Sequence, residues 1–351
     1  MRKILCLLLA ALFLTGCQAV SPAETPETTV TAPTTAGTEP TAPTETTAPT
    51  VPTEPPVLET RYFWTEQKVT NAQGVGGVYT RTYDAKGNLL TDSYAAADGN
   101  TTYTYTYTYD EAGKMLTRDS VASYGTTDRT EYTYDPAGRL VTEVFTNTEN
   151  YSVKVDYVYR EDGQLAEKLA IYDKTQEITV YTYDENGRLL KEEQTTRTGE
   201  KVQQSIVMEY TYDAAGNKLS QAESRTGTLY RKEEWTYNDA GKVLTYQEFD
   251  GQGNLGEGMQ YIYDNQGRLE EETFSKGGTA EDSAVYVYDE AGRVIKRASG
   301  VPYEKFITVN RILLYTYDEF GNLLTEVTTK KDGTELSRRE YTYISMEVPV
   351  K

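Results

Sequence analysis

The chain has 351 residues, with 35 Lys and Arg against 54 Asp and Glu, and a formal net charge of −19. This charge repels phosphate backbones, so we expect no nucleic acid partner. The chain contains no histidine and only two cysteines, Cys6 and Cys17, which removes imidazole catalysis, disulfide frameworks and Cys/His zinc sites from the expected chemistry.

Residues 1–16 have the layout of a secretory signal peptide. Two basic residues precede an apolar run from Ile4 to Leu14 that is too short to span a bilayer, and the sequence Leu-Thr-Gly then leads to Cys17. This ending resembles the lipobox of bacterial lipoproteins. The resemblance implies cleavage before Cys17, lipidation of its thiol, and an extracytoplasmic protein attached to the membrane by lipid at the cell surface. The alternative is an ordinary secretion signal followed by an incidental cysteine.

Residues 17–60 predict a stalk without a fold of its own. From Gln18 to Glu59 the chain is mostly Thr, Pro, Glu and Ala, with no aromatic residue and no Lys or Arg. Such a segment cannot bury enough apolar surface to offset the loss of chain entropy. We expect a passive tether, and the alternatives are a spacer through a cell wall or a carrier of O-linked sugars on its threonines.

Residues 61–351 contain ten copies that match the pattern aromatic-x-Tyr-Asp-x-x-Gly fully or at all but one position. The second tyrosines are Tyr83, Tyr109, Tyr134, Tyr159, Tyr183, Tyr212, Tyr237, Tyr263, Tyr288 and Tyr317, and the glycines are Gly87, Gly113, Gly138, Gly163, Gly187, Gly216, Gly241, Gly267, Gly292 and Gly321. Successive glycines are 24 to 29 residues apart, so the motif is fixed and only the return loop between copies varies in length.

Each copy predicts a β-hairpin. In the second copy, Tyr107 and Tyr109 alternate with a threonine, which places both rings on one face of a strand. Asp110 then begins a type I turn, and Gly113 supplies the positive φ that a three-residue loop with a bulge requires. In this geometry Tyr109 faces Met115 across the hairpin.

The predicted register also places Asp110 opposite Lys114, and the residue after the glycine supports this pairing. That residue is basic in six copies, namely Lys114, Arg139, Arg188, Lys242, Arg268 and Arg293. The next residue is Leu, Val or Met in nine copies, and Lys218 is the exception. We therefore expect the unit of Lys218 to be slipped by one residue, or bulged, so that Leu219 takes the aliphatic position.

The units predict an all-β fold, a long antiparallel meander of about ten two-stranded repeats. At two strands per unit, a flat sheet would extend roughly 100 Å, so we expect it to coil into a spiral or a solenoid-like sheet. One unit cannot offset the entropy cost of ordering itself, so stability must come from stacked neighbours. The segments around Trp64 and Tyr341 to Tyr343 are then expected to cap the two ends.

The copies, which include YDAKGNLL, YDEAGKML, YDENGRLL and YDEAGRVI, resemble the YD repeats of the rearrangement-hotspot (RHS) family over residues 79–343. The resemblance implies strands that wind into a β-spiral. In larger members the spiral encloses a C-terminal toxin, and YD repeats have been associated with carbohydrate binding. Because the sequence stops eight residues after Tyr343, without the shell-closing cassette or a following domain, we do not expect it to enclose a toxin.

Together the lipobox, the stalk and the array predict a non-catalytic cell-surface lipoprotein, a display or interaction scaffold without cofactor or metal. No carboxylate pair departs from the repeat pattern in a way that marks it for catalysis, and the turn acids lack the dense oxygen ligands of a calcium loop. We interpret the tyrosine ladder as a packed face and Trp235 as a simple aromatic substitution. One alternative is an adhesin for wall polysaccharide or host glycan, and a second is a remnant or carrier of an RHS-type toxin system.

Overall fold

A computed structural model describes residues 58–149, 151–303 and 306–350 of the chain. The predicted signal peptide, Cys17 and the stalk up to residue 57 lie outside the described residues. Within the described part every regular element is a β-strand, and every strand pair is antiparallel. The predicted all-β, antiparallel class is confirmed.

The strands follow one another in chain order. They are β1 (Leu58–Asn71), β2 (Gly76–Tyr83), β3 (Leu89–Ala96), β4 (Thr102–Tyr109), β5 (Met115–Ala122), β6 (Thr127–Tyr134), β7 (Leu140–Asn147), β8 (Ser152–Tyr159), β9 (Leu165–Tyr172), β10 (Thr175–Tyr183), β11 (Leu189–Thr198), β12 (Lys201–Tyr212), β13 (Lys218–Arg225), β14 (Thr228–Tyr237), β15 (Val243–Asp250), β16 (Leu255–Tyr263), β17 (Leu269–Lys276), β18 (Thr279–Tyr288), β19 (Val294–Tyr303), β20 (Phe306–Tyr317), β21 (Leu323–Lys330) and β22 (Glu335–Pro349). The motif turns, called YD turns here, follow the even-numbered strands β2 to β20, and the return loops follow the odd-numbered strands.

The YD hairpins have a common geometry, which β4 and β5 illustrate. The Asp110 N–H donates to the Lys114 carbonyl at 2.9 Å, and the Gly113 N–H donates to the Asp110 carbonyl at 3.0 Å. Tyr109 pairs with Met115 and the register then shifts, which leaves Leu116 as the extra residue of a bulge. All ten motif glycines have φ between 73° and 91°, a region that other residues enter only with strain.

The unit of Lys218 does not slip, and that prediction is wrong. Tyr212 pairs directly with Lys218, in the same register in which Tyr109 pairs with Met115. Leu219 is the bulge residue and does not replace Lys218. The turn and the bulge fix the register in this unit, so the lysine side chain lies on the tyrosine face at a position that is aliphatic in the other nine copies.

The sheet is closed, so the predicted spiral or solenoid is wrong. β1 pairs with β2 on one side and with β22 on the other, and the β1–β22 pairing runs over thirteen residue pairs from Leu58↔Pro349 to Asn71↔Ser337. The 22 strands therefore form one continuous ring. An open meander would leave the backbone groups of two edge strands unpaired, and the closure satisfies them.

The strands at the closure reproduce the register of a YD hairpin. Tyr343 lies opposite Trp64, and Thr65 is the extra residue where the register shifts. β22 and β1 thus form an eleventh unit, whose first strand comes from one end of the array and whose second strand comes from the other. The prediction that Trp64 and Tyr341 to Tyr343 cap separate ends is wrong, because the two segments pair with each other.

The ring has little core. Its buried apolar residues are Ala170, Ala284, Ala298, Val327 and Val348. Among the described residues, side-chain contacts join strands and turns that are adjacent or next but one around the ring, as between Arg297 and Glu272 or between Tyr62 and Phe320. The side chains of this shell therefore pack on the surface of the sheet, against neighbouring strands and units.

Candidate functional site

The face of the sheet that carries the motif tyrosines, called the tyrosine face here, links each unit to the one before it. The Tyr109 hydroxyl donates to the Leu89 carbonyl at 2.7 Å, two residues after the glycine of the preceding unit. The same bond is made by Tyr83, Tyr134, Tyr159, Tyr183, Tyr212, Tyr237, Tyr263, Tyr288 and Tyr317, to the carbonyls of Trp64, Met115, Leu140, Leu165, Leu189, Lys218, Val243, Leu269 and Val294 respectively. All ten second tyrosines thus donate their hydroxyl proton to a backbone carbonyl of the sheet.

Cations cover most of these rings. The Arg139 guanidinium lies 4.8 Å from the ring centre of Tyr159 in the next unit. The other pairs of this kind are Lys114 with Tyr134, Arg188 with Tyr212, Lys242 with Tyr263, Arg268 with Tyr288 and Arg293 with Tyr317. Arg160, which replaces the motif aspartate, lies 5.5 Å over Tyr183. Each contact of this kind is worth about 0.5–1 kcal/mol at a partly exposed site.

The turn carboxylates are also engaged. Asp184 accepts the N–H of Arg188 at 2.8 Å and of Asn186 at 2.9 Å through Oδ1, and the Arg188 guanidinium at 2.6 Å through Oδ2. These bonds, the backbone one from Arg188 foremost, hold the pKa of Asp184 below its ordinary value. Similar ion pairs join Asp135 to Arg139, Asp264 to Arg268 and Asp289 to Arg293. In the described ranges, no three acidic side chains are arranged to hold a metal ion.

Lys218 and Trp235, two residues that depart from the common sequence of the repeats, are in contact. The Lys218 ammonium lies 4.0 Å from the ring centre of Trp235 and 6.0 Å from that of Tyr210. Burial lowers the pKa of Lys218, and the nearby charge of Glu233 partly offsets this effect. The interpretation of Trp235 as a simple aromatic substitution therefore leaves out its partner.

A charged network adjoins this pair on the tyrosine face. The Arg231 guanidinium lies 3.4 Å from Glu223, 3.4 Å from Glu233 and 3.5 Å from Glu248. Burial opposes the charge of Arg231, yet the three carboxylates raise its pKa. Glu223 is also held by Arg225 at 2.6 Å, and its side chain is only 8% exposed. Because every carboxylate has a guanidinium partner, the arrangement binds the strands together and offers no free acid or base pair.

Sequence reasoning missed this network because the motif does not include its positions. Glu233 and Glu248 pair across β14 and β15, where the equivalent pairs of the other nine copies contain at most one acidic residue, as in Thr130 with Phe145. A column-by-column comparison of the ten copies, including the residues two before the first aromatic residue, would have revealed the departure.

The opposite face, called the threonine face here, is more exposed. The residue before the second motif tyrosine pairs across the hairpin with a second hydroxyl residue in several units, as in Thr82 with Thr91, whose oxygens are 2.7 Å apart. The other hydroxyl pairs are Thr108 with Thr117, Thr211 with Ser220, Thr236 with Thr245 and Thr316 with Thr325. Two shallow depressions of about 470 and 630 Å³ share Leu219 and Thr236 in their linings.

The two rims of the ring differ. The rim of return loops exposes Tyr124, Tyr151 and Tyr230, with 77%, 45% and 49% of their surface accessible. On the rim of YD turns, Phe320 is exposed and stacks on Tyr62 at 4.9 Å. Because β1 runs from beyond the YD turns toward the return loops, the chain enters the ring on the YD-turn side.

The family model described as Teneurin YD-shell matches residues 125–281. The identification of the array as YD repeats, made from its motifs, is confirmed over these residues. No curated relative matches the sequence. In the described residues there is no helix long and apolar enough to cross a membrane.

Solved structures similar to the chain include TcdB2-TccC3-Cdc42, with 16% identity and a TM-score of 0.39, and TcdB2-TccC3 without its hypervariable C-terminal region, with 15% identity and a TM-score of 0.40. Each similarity covers 78% of this chain and only 17% of the other. A porin-like protein from Bacteroides uniformis is similar over 80% of this chain and 98% of its own, with 9% identity and a TM-score of 0.29. At these TM-scores the similarities carry no argument about function.

Proposed function

We propose that the protein is a non-catalytic, lipid-anchored surface protein whose closed ring serves as an interaction scaffold. The observation that carries the proposal is the polarity of the ring. Chain entry at Leu58 lies on the YD-turn side, while Tyr124, Tyr151 and Tyr230 are exposed on the return-loop side. A tether attached at the first rim leaves the second free to meet a partner.

The anchor is testable by itself. The Cys17 thiol would carry the lipid, and one acylated cysteine with two or more chains holds a protein stably to a bilayer. We expect a clickable fatty acid analogue fed to the cells to label the wild-type chain and to leave Cys17→Ala unlabelled and in the soluble fraction. A labelled Cys17→Ala chain, or an unlabelled wild type, would contradict the anchor without touching the scaffold proposal.

The contact surface is tested with matched rim variants of the full chain. The first replaces Tyr124, Tyr151 and Tyr230 with serine, and the control replaces Phe320 with serine on the opposite rim. We expect the wild type and the control to bind cell-wall fractions or intact cells and the triple variant to lose that binding. Equal binding by the triple variant would remove the return-loop rim from the proposal.

Binding of a wall polysaccharide or host glycan is a second candidate, and the same rim favours it. The second motif tyrosines donate their hydroxyl protons to backbone carbonyls, and these hydroxyls are therefore already engaged within the sheet. The exposed Tyr124 and Tyr151 instead present rings of the kind on which sugars stack. A glycan array separates the candidates, because glycan binding that the triple variant loses supports the adhesin, whereas binding only to protein fractions supports the general scaffold.

The proposal of a non-catalytic role rests on the pairing of the charged groups. Glu223, Glu233 and Glu248 share Arg231, and the turn aspartates accept backbone N–H groups. A general acid or nucleophile needs a carboxylate that is free to exchange a proton or attack a substrate. Hydrolysis of a wall polymer by the purified chain, abolished by Glu233→Gln, would overturn this part of the proposal.

A further inference from the structure

Three tyrosines stand side by side on consecutive strands of the tyrosine face. Tyr79 on β2 lies directly opposite Tyr94 on β3, which lies directly opposite Tyr103 on β4. The ring centres of Tyr79 and Tyr94 are 4.7 Å apart, and those of Tyr94 and Tyr103 are 5.3 Å apart with nearly parallel planes. Tyr105 meets Tyr103 edge-on at 5.7 Å. None of these four residues belongs to the repeat motif.

The row is built into the sheet. The ring of Tyr94 occupies the place of a side chain at Gly77, where an added Cβ would collide with the ring. Glycine at this position lets the Tyr94 ring lie flat against the neighbouring strand. Other units form the same hairpin with quite different pairs at the equivalent positions, such as Val155 opposite Ala170. The repeat fold therefore does not require tyrosines here.

Phenol rings held this close share a distinctive chemistry. One-electron oxidation of tyrosine gives a phenoxyl radical whose spin density lies partly on the ring carbons beside the hydroxyl carbon. The four rings are only half-buried, so small oxidants reach them. Burial raises the pKa of Tyr103, with a smaller effect of the Tyr79 hydroxyl, so the phenol stays protonated and is oxidised by losing an electron and a proton together.

We infer that Tyr94 is a site of oxidative cross-linking, which joins it through a ring carbon–carbon bond to Tyr79 or Tyr103. The oxidant is a peroxide acting through a haem peroxidase. Each of the two phenols gives up one electron and one proton, and hydrogen peroxide takes both pairs to form two water molecules. The radicals couple at the carbons beside their hydroxyl carbons, and the two ring hydrogens displaced there return to the oxygens.

The product is a covalent bridge between β3 and a neighbouring strand. The described residues contain no cysteine, so a disulfide cannot play this role there. Tyr79 and Tyr94 belong to one unit, whereas Tyr103 begins the next, so coupling of Tyr94 to Tyr103 joins two units covalently. The coupling needs only two neighbouring phenol rings and a one-electron oxidant. It does not need a nucleophile or an acid beside the rings, so the modifying agent belongs to the class of one-electron oxidants.

The test treats the full chain with hydrogen peroxide and a haem peroxidase at low protein concentration and follows dityrosine fluorescence. Monomeric protein is isolated on a denaturing gel and digested with trypsin together with a protease that cuts at Asp98, which separates Tyr94 from Tyr103. We expect linked peptides that contain Tyr94 and have lost two hydrogens. Tyr94→Phe, which keeps the ring and its packing, should lose these peptides and most of the monomer's fluorescence.

Two further variants complete the test. Tyr124→Phe removes the most exposed tyrosine of the rim and should leave the monomer's cross-link unchanged, because its ring has no phenol partner in the row. Tyr79→Phe combined with Tyr103→Phe should match Tyr94→Phe. The inference fails if the wild-type monomer gains no cross-link, if the linked peptides lie elsewhere, or if Tyr94→Phe with an unchanged circular dichroism spectrum cross-links as well as the wild type.

Discussion

The ammonium group of Lys218 lies 4.0 Å from the centre of the Trp235 ring, so two residues that break the repeat pattern in neighbouring units stabilise one another. Lysine replaces an aliphatic residue, and tryptophan replaces the tyrosine that would face it. Because tryptophan binds cations more strongly than tyrosine does, the second change offsets the cost of burying the first. The two departures therefore act as a coupled pair on two neighbouring strands.

This contact predicts that the effects of changing Lys218 and Trp235 are not additive. Lys218→Leu, Trp235→Tyr and the double variant would be compared by urea denaturation of the full chain. We expect a coupling free energy of about 0.5–1 kcal/mol, the usual worth of a partly exposed cation–π pair. The double variant should have at least the stability expected of a unit with the common sequence, because it restores leucine and tyrosine at these two positions. Strictly additive effects would show that the contact contributes nothing.

Because every YD unit makes the same tyrosine hydroxyl bond to its neighbour, removing one hydroxyl should lower the unfolding free energy by a similar amount in any unit. Tyr183→Phe deletes the bond to the Leu165 carbonyl, which measures 2.9 Å, and keeps the ring. We expect a loss of about 1 kcal/mol of unfolding free energy, as for a typical intramolecular hydrogen bond. Tyr124→Phe is the matched control, because that ring is 77% exposed and should tolerate the change. Equal stability of the two variants would mean that the ladder is held by ring packing alone.

The split eleventh unit predicts that the ring can be opened elsewhere. A permuted chain would place Asp-Glu-Asn-Gly-Arg, the turn found at 184–188, between Tyr343 and Trp64, and would begin and end at the return loop around Gly199. We expect the same circular dichroism spectrum and a stability close to that of the original. An unfolded or aggregated permutant would contradict the equivalence of the β22–β1 pair with a YD hairpin.

The raised pKa values of partly buried tyrosines predict that the protein unfolds at alkaline pH. Burial raises the pKa of Tyr109 and Tyr181 from 10.0 to about 12. A pKa raised in the folded state means that folding favours the protonated phenol. Its stabilising effect is therefore complete below pH 10 and disappears as the pH rises through about 12. Tyrosinate absorbance and circular dichroism should change together in this range, and ionisation near pH 10 with an intact sheet would contradict the prediction.

The repeat motif was sufficient to predict the hairpins. In the second copy, Asp110 and Gly113 determine the turn through their own backbone and side-chain preferences, and the alternation before them determines the tyrosine face. These are local effects that act within five residues. The family resemblance follows from the same short pattern and was confirmed over 125–281.

The closure of the ring could not be predicted from the repeat motif. Trp64 and Tyr343 form a hairpin-like pair without a turn between them, so no local sequence marks their contact. Lys218 departs from the expected position for a related reason, because the turn and its bulge, and not the aliphatic pattern, fix the register. The Arg231 network depends on residues that meet only after three strands have aligned, and the motif carries no record of it.

A ring assembled from eleven two-stranded units has a fixed circumference. A linear array of repeats gains or loses a unit by moving its end, and every other unit keeps its neighbours and its curvature. Here, the insertion of one unit would change the angle between every pair of adjacent strands or break the pairing of β1 with β22. Duplication and deletion within the gene, the usual route by which repeat arrays vary in length, should therefore be tolerated poorly in this protein.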